Sequence, residues 1–219
     1  MALIGALIIL FPTTAHADSK SSTSSGSLKC AKTKATAHST LQVSTPTSIL
    51  KKFPSQITFV TNCGNIVVTP NTKAPVALTA ISALALAGYY DKSLCHRLTT
   101  SGIYVLQCGD PTASGSGSPT GWTGYIDENL PKAGGINYPA GTVAMANSGP
   151  KTNGSQFFLV YKDTALGPNY TIWGKITKGL DLVKKIGAVG AYQMQGEQAF
   201  YAGDGYPIQM VEIVKASAK

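Results

Sequence analysis

A chain of 219 residues, 43% hydrophobic and only 13% charged, is long enough to bury a core, and this composition excludes a protein that is disordered overall. The net charge of +8 is concentrated in residues 1–55, which carry six lysines against one aspartate. No aromatic residues lie between those lysines to stack on bases, so the charge favours a solvated segment over nucleic-acid binding.

The N-terminus has the pattern of a secretory leader. An apolar run, Ala2–Phe11, is followed by Ala15-His16-Ala17 before Asp18. This pattern predicts a signal peptide cleaved after Ala17, and the run is too short for an ordinary transmembrane helix. The usual basic start is missing, so residues 1–17 are expected to be either a cleaved signal peptide or an N-terminal membrane segment. Both alternatives predict a secreted or extracytoplasmic protein.

The next segment, residues 18–55, is rich in Ser, Thr and Lys and contains few large apolar residues. Such a composition predicts a flexible or weakly structured spacer. From Gln56 the pattern changes to alternating and β-branched residues, which indicates the start of a folded domain over residues 56–219.

This domain is predicted to be mainly β. Residues 57–60 and 66–68 predict a hairpin that turns near Gly64. Residues 74–87 predict a helix, and residues 180–186 can form a second, short one. Further strands are predicted near residues 96–99, 105–108, 142–145, 156–160, 171–176 and 208–214. Eight short strands and two helices predict a closed eight-stranded antiparallel β-barrel capped by two α-helices.

Four cysteines in an exported chain imply up to two disulfides, with three possible connectivities. Cys95 and Cys108 lie on consecutive strands that should pair, so the preferred pairing is Cys95 with Cys108 and Cys30 with Cys63. A thiol protease is excluded, because adjacent residues such as Cys95 and His96 point to opposite faces of a strand. The histidine and cysteine spacings match no zinc site, and no metal is predicted.

Two features remain that indicate a binding site. Of the eighteen basic residues only Arg97 is an arginine, which suggests a position where a planar, permanently charged group is required. In the stretch 143–158, the polar Asn147 and Gln156 stand beside the large apolar Met145 and Phe158. This mixture suits a groove for a peptide, although a surface loop between two strands would have the same composition.

The chain resembles the cyclophilins over about residues 56–215. Three motifs carry the resemblance, and the third is long and highly specific: Cys95-His96-Arg97-Leu98, Leu106-Gln107-Cys108-Gly109-Asp110, and Met145-Ala146-Asn147-Ser148-Gly149-Pro150-Lys151-Thr152-Asn153-Gly154-Ser155-Gln156-Phe157-Phe158.

The resemblance implies peptidyl-prolyl cis-trans isomerase activity on proline-containing peptides and unfolded exported proteins, without a cofactor or a covalent intermediate. It assigns catalysis to Arg97, which would stabilise the twisted amide, together with Gln107 and Asn147. The residues that it places in substrate binding are Tyr104, Val105, Ala146, Gln156, Phe158, Leu166 and Tyr170.

Two departures from the family pattern bear on ligands. Tyr104 stands where the family usually has a phenylalanine. No tryptophan lies near Ala165, and Tyr170 replaces a histidine found in many eukaryotic members, so cyclosporin binding is expected to be weak. A monomer is expected. The alternative function is a binding module or chaperone that holds proline-containing segments without isomerising them.

Overall fold

In the computed structural model, which describes residues 27–219, twelve β-strands join in one antiparallel sheet and two α-helices pack against it. The elements are β1 Ile57–Thr61, β2 Gly64–Pro70, α1 Pro75–Leu86, β3 Ser93–Leu94, β4 Arg97–Thr99, β5 Val105–Cys108, β6 Thr142–Met145, β7 Phe157–Val160, β8 Ile172–Lys178, α2 Leu180–Val189, β9 Ala191–Gln195, β10 Gln198–Ala202, β11 Asp204–Pro207 and β12 Glu212–Ala218. The prediction of mainly β structure with two helices is therefore confirmed.

The prediction of a closed eight-stranded barrel is wrong. Within residues 27–219 the strands hydrogen-bond in the order β10-β9-β11-β4-β5-β7-β6-β8-β2-β1-β12-β3, and the two end strands do not pair with each other. The chain segment 93–99 contributes two separate strands with different partners to this order. Its first part, β3, pairs with β12, whereas its second part, β4, pairs with β5, and Cys95 and His96 interrupt the strand between them.

The C-terminal part of the sheet was not predicted. Strands β9, β10 and β11 form a three-strand unit, residues 191–207, that joins the rest of the sheet where β11 pairs with β4. A side chain at Gly205 would collide with the carbonyl oxygen of Tyr192, so this close approach requires glycine. The strand predicted over 208–214 begins later, at Glu212, because the N–H of Ile208 instead bonds to the carbonyl oxygen of Gly190.

An aromatic core lies on the inner face of the sheet. Phe59 and Phe157 stack with ring centroids 4.8 Å apart, and Tyr90 and Trp173 meet Phe157 edge-on. All four side chains are almost fully buried. Offset and edge-to-face contacts of this kind contribute about 0.5–1.5 kcal/mol per pair beyond the burial of apolar area. The inner face of β7 is therefore rigidly supported.

Helix α1 covers this core and depends on a distant carboxylate. Pro75 begins the helix, where a missing N–H is tolerated. The carboxylate of Glu128 accepts hydrogen bonds from the N–H groups of Val76, at 3.0 Å, and Ala77, at 3.3 Å. It satisfies N–H groups that a helix start leaves unpaired, so the loop that carries Glu128 is fastened to the helix.

Residues 27–55 form an N-terminal strap without helix or strand. The strap lies along the domain and is held by contacts spread over its length. These contacts include the Cys30–Cys63 disulfide and backbone hydrogen bonds from Ala31 to Asn62 and from His38 to Pro111. The indole N–H of Trp122 also donates to the Val43 carbonyl at 2.7 Å.

Both predicted disulfides are present, Cys30–Cys63 and Cys95–Cys108, and the preferred pairing is confirmed. The signal peptide or membrane segment predicted over residues 1–17 lies outside the described residues. Between residues 27 and 219, neither helix combines the length and the apolar character needed to cross a membrane.

Candidate functional site

Three neighbouring strands place the central residues of the site in a row. Arg97 on β4 is the direct partner of Gln107 on β5, and Gln107 is the direct partner of Phe158 on β7. Directly opposed residues of antiparallel strands project to the same face of a sheet. The three side chains therefore lie side by side on the outer face, opposite the aromatic core.

A cavity of about 150 Å³ opens on this row. This volume is well below the about 300–1,000 Å³ of pockets for drug-sized ligands, so the cavity suits one small apolar group of a larger molecule. Its lining residues are Arg97, Ile103, Val105, Gln107, Ala146, Asn147, Phe158, Leu166 and Tyr170.

The floor of the cavity is aromatic and firmly packed. Phe158 is only 4% exposed, and its ring meets Tyr170 edge-on at 5.5 Å and Tyr138 at 6.1 Å. These residues belong to a second apolar cluster, separate from the main core, which also contains Val105 and Val160. The floor is therefore packed on its sides against this cluster.

The polar wall is a chain of hydrogen bonds that ends at the arginine. Gln156 donates from Nε2 to the carbonyl oxygens of Gly115, at 3.0 Å, and Gly117, at 2.9 Å. Its Oε1 accepts a 2.9 Å bond from Gln107 Nε2, and Gln107 Oε1 in turn accepts from Arg97 Nη1 at 3.2 Å. The two glutamines thus connect the arginine to the 110–118 loop.

A buried aspartate organises this loop. The Asp110 carboxylate is fully buried and accepts hydrogen bonds from the N–H groups of Thr112, Gly115 and Gly117 and from the hydroxyls of Thr112 and Ser114. Burial alone would raise the pKa of Asp110, but these hydrogen bonds outweigh it and lower the pKa. The loop is therefore arranged around a negative charge.

Arg97 has a second polar partner that sequence reasoning missed. Asp204, at the start of β11, accepts from Arg97 Nε at 2.8 Å and from Nη2 at 2.7 Å. The hydrogen bond to Asp204 raises the pKa of Arg97 above its ordinary value, so the guanidinium keeps its charge. In contrast, burial lowers the pKa of the neighbouring His96, which favours a neutral imidazole near pH 7. Arg97 is the cation among the residues that line the cavity.

The cavity brings together most of the site residues predicted from sequence: Arg97, Val105, Gln107, Ala146, Asn147, Phe158, Leu166 and Tyr170. Gln156 lies behind the lining and supports Gln107. The Asn147 side chain bonds to the Asn169 carbonyl at 2.9 Å, which fixes the edge of the groove.

Tyr104 does not line this cavity, and its expected place there requires correction. It faces a different cavity, where its ring meets Tyr161 edge-on and lies 4.2 Å from the Lys162 ammonium. Ile103 and Val105 line the candidate site, whereas Tyr104 between them faces the other cavity. Ile103 accordingly occupies the wall.

The sheet and helices are similar to those of a solved cyclophilin. The crystal structure of the cyclophilin-type peptidyl-prolyl cis-trans isomerase of Cryptosporidium parvum superposes with a TM-score of 0.61 at 25% identity, covering 77% of this chain and 98% of that one. The architecture is therefore that of a cyclophilin.

Comparisons of the amino-acid sequence also indicate the cyclophilins. Residues 56–217 match the family described as "Cyclophilin type peptidyl-prolyl cis-trans isomerase/CLD". A relative in Mycobacterium tuberculosis, "Probable peptidyl-prolyl cis-trans isomerase B", is 43% identical over 150 residues, which cover 63% of this chain and 48% of that protein. "Peptidyl-prolyl cis-trans isomerase-like 1" of Aspergillus oryzae is 30% identical over 164 residues, covering 74% of this chain and 94% of that protein.

This chain belongs to the cyclophilin-type peptidyl-prolyl cis-trans isomerase family. It spans about half the length of the mycobacterial relatives that it matches.

Proposed function

We propose that this protein is a peptidyl-prolyl cis-trans isomerase that rotates X-Pro bonds without a cofactor or a covalent intermediate. The observation that carries the proposal is the adjacency of a guanidinium and a rigid apolar floor, Arg97 and Phe158, across a single strand. The floor can hold a prolyl ring while the cation acts on the bond next to it.

The chemistry requires little more than this pair. Cis and trans X-Pro bonds differ by only about 0.5–1 kcal/mol, but amide resonance slows their exchange to tens of seconds or longer. In the twisted state the prolyl nitrogen becomes pyramidal and accepts a hydrogen bond that the planar amide cannot accept. A donor such as Arg97 therefore stabilises the transition state more than the ground state. In this mechanism Gln107 orients Arg97, Asn147 shapes the groove, and Ala146 binds the peptide backbone.

The test is an isomerisation assay on a short X-Pro peptide with Arg97→Ala and Arg97→Lys. Loss of one preorganised donor should lower kcat/KM by about 10²–10³-fold in Arg97→Ala. Lysine keeps the charge but loses the planar fork, and should recover only part of the rate. The exposed cation Lys175 offers a control, and Lys175→Ala should behave as the wild type.

The fold should survive these substitutions. The Arg97 side chain is 39% exposed and that of Asp204 is 51% exposed, and surface ion pairs typically contribute only about 0–1 kcal/mol to stability. Equal rates for wild type and Arg97→Ala would refute catalysis by Arg97. Peptide binding without any acceleration would favour the alternative, a non-catalytic module that holds proline-containing segments.

The proposed clients are unfolded exported proteins outside the cytoplasm. Two disulfides support this location, because such bonds persist mainly in oxidising compartments. Mass analysis of the mature N-terminus would test whether cleavage follows Ala17. We further propose weak cyclosporin binding, since Tyr170 lines the cavity, and a monomeric state. Titration calorimetry and light scattering would test these two points.

A further inference from the structure

The guanidinium of Arg97 is already held on two sides. An arginine has five N–H donors, and three of them are used: Nε and one Nη2 hydrogen by Asp204, and one Nη1 hydrogen by Gln107. Two N–H bonds remain, one on Nη1 and one on Nη2. The plane of the group is fixed by two partners from different strands.

The position of Asp204 is set by the backbone. Asp204 pairs directly with Thr99 on β4, two residues from Arg97, so both side chains project to the same face. The Asp204 carbonyl accepts a 2.7 Å hydrogen bond from Gln193 Nε2, which ties β11 to β9. The 191–207 unit therefore presents the carboxylate to the arginine from a structured strand.

Stability does not account for this arrangement. Both partners are substantially exposed, and such pairs contribute little because solvent screens them and because ordering two side chains costs entropy. Orientation is a stronger explanation. An unrestrained arginine side chain carries about 2 kcal/mol of rotamer entropy, and a bidentate carboxylate restricts it to one geometry.

We propose that Asp204 is a positioning residue, which holds the Nε–Nη2 edge of Arg97 so that one of the remaining N–H bonds can donate to the prolyl nitrogen of a bound peptide. The proposal rests on the proposed isomerase function. It gives the 191–207 unit a role in the reaction: this unit supplies the charge that orients the cation, while the peptide itself lies on β5, β7 and the 146–147 edge. Asp204 does not touch the substrate.

The test compares Asp204→Asn with Asp204→Glu, and with Glu197→Gln as a matched control. Asn keeps the size of Asp but loses the charge and one acceptor. Glu keeps both acceptors and should restore part of the activity. Glu197 is exposed at the β9–β10 turn of the same unit. Misplacing a catalytic group by about 1 Å can cost about 10²-fold, so loss of one of two supports should lower kcat about tenfold in Asp204→Asn. The KM should change much less, and Glu197→Gln should match the wild type.

A second readout follows the pairing itself. Arg97 is the sole arginine of the chain, so a ¹⁵N-labelled sample gives one arginine Nε–H signal that needs no assignment. In the wild type this hydrogen should exchange slowly with water and rotation about Nε–Cζ should be hindered. Asp204→Asn, which keeps one acceptor oxygen and no charge, should weaken both effects, and Asp204→Glu should restore them.

Each outcome decides the proposal. A lower kcat together with the loss of Nε–H protection supports it. An unchanged or higher kcat in Asp204→Asn overturns it while leaving the isomerase function intact, provided that Arg97→Ala is impaired. Nε–H protection that is as strong in Asp204→Asn as in the wild type also overturns it. If wild type and Arg97→Ala are equally inactive, the proposed function fails and the positioning role fails with it.

Discussion

Substitution of Asp110 by asparagine should weaken the 110–118 loop, which supports the polar side of the cavity through Gln156. One carboxylate oxygen, Oδ1, accepts from Thr112, while the other, Oδ2, accepts from the N–H groups of Gly115 and Gly117 at 2.7 and 3.0 Å. The side-chain amide of asparagine can satisfy only one of these two sets, because its NH2 end cannot accept. Its oxygen should face Gly115 and Gly117, so the partly buried N–H of Thr112 loses its acceptor, at about 1–3 kcal/mol.

The free energy of unfolding should therefore fall by about 1–3 kcal/mol. For a chain of about 150–250 residues each kcal/mol shifts Tm by about 2–4 °C, so a fall of about 2–12 °C is expected in calorimetry or circular dichroism. The isomerisation rate should fall as well, because a less firmly held 110–118 loop gives Gln156 weaker partners at Gly115 and Gly117, and Gln156 then supports Gln107 less well. Asp163→Asn is the matched control. Its carboxylate is exposed and accepts from the N–H of Ala140, so the loss should stay below about 1 kcal/mol.

The stability difference between wild type and Asp110→Asn should depend on pH. The folded-state pKa of Asp110 is lowered below the unfolded value of about 3.9, so its contribution is fully present above the unfolded pKa and is lost as pH falls through the folded pKa. The two proteins should therefore differ most near neutral pH and converge on strong acidification. A difference below about 1 kcal/mol at pH 7, or one that grows in acid, would refute the reasoning.

Two further predictions concern the strap and the cavity wall. The Cys30–Cys63 bridge closes a separation of 33 residues. In the chain-entropy account its replacement by serines should lower the free energy of unfolding, measured in urea titrations, by about 3.7 kcal/mol, and a change below about 1 kcal/mol would contradict this. Ile103→Ala should raise the KM for an X-Pro peptide because it opens the wall, whereas Tyr104→Leu should not, since that ring faces another cavity. The reverse result would show that the assignment of this wall is wrong.

Much of the cavity could be predicted because its residues lie in contiguous motifs. The stretch 145–158 contains the groove edge, the polar support and the floor, and Arg97 stands out as the sole arginine. The disulfide pairing followed from strand pairing, which local alternation predicts. Tyr104 was misplaced because the motif was matched by residue type, while the chain bends over residues 101–103 just before β5 and turns this side chain to another cavity.

Other parts of the structure depend on contacts between distant residues. Asp204 lies 107 residues from Arg97 in the sequence, within a stretch of Gly, Tyr and Gln that has no clear period. Segment 93–99 changes strand partner between β3 and β4 without a glycine or proline to indicate it. The strap is held by backbone hydrogen bonds, by the disulfide and by distant side chains such as Glu212 and Trp122, and composition does not encode these partners.

Exchange NMR on a proline peptide with separate cis and trans signals tests the role of Arg97 most directly. With a catalytic amount of the wild-type protein, exchange cross-peaks should appear at mixing times far shorter than the uncatalysed exchange of tens of seconds. With Arg97→Ala the cross-peaks should vanish, while chemical-shift changes still report peptide binding. Cross-peaks of equal strength for both proteins would contradict the assignment of Arg97 as the group that stabilises the twisted amide.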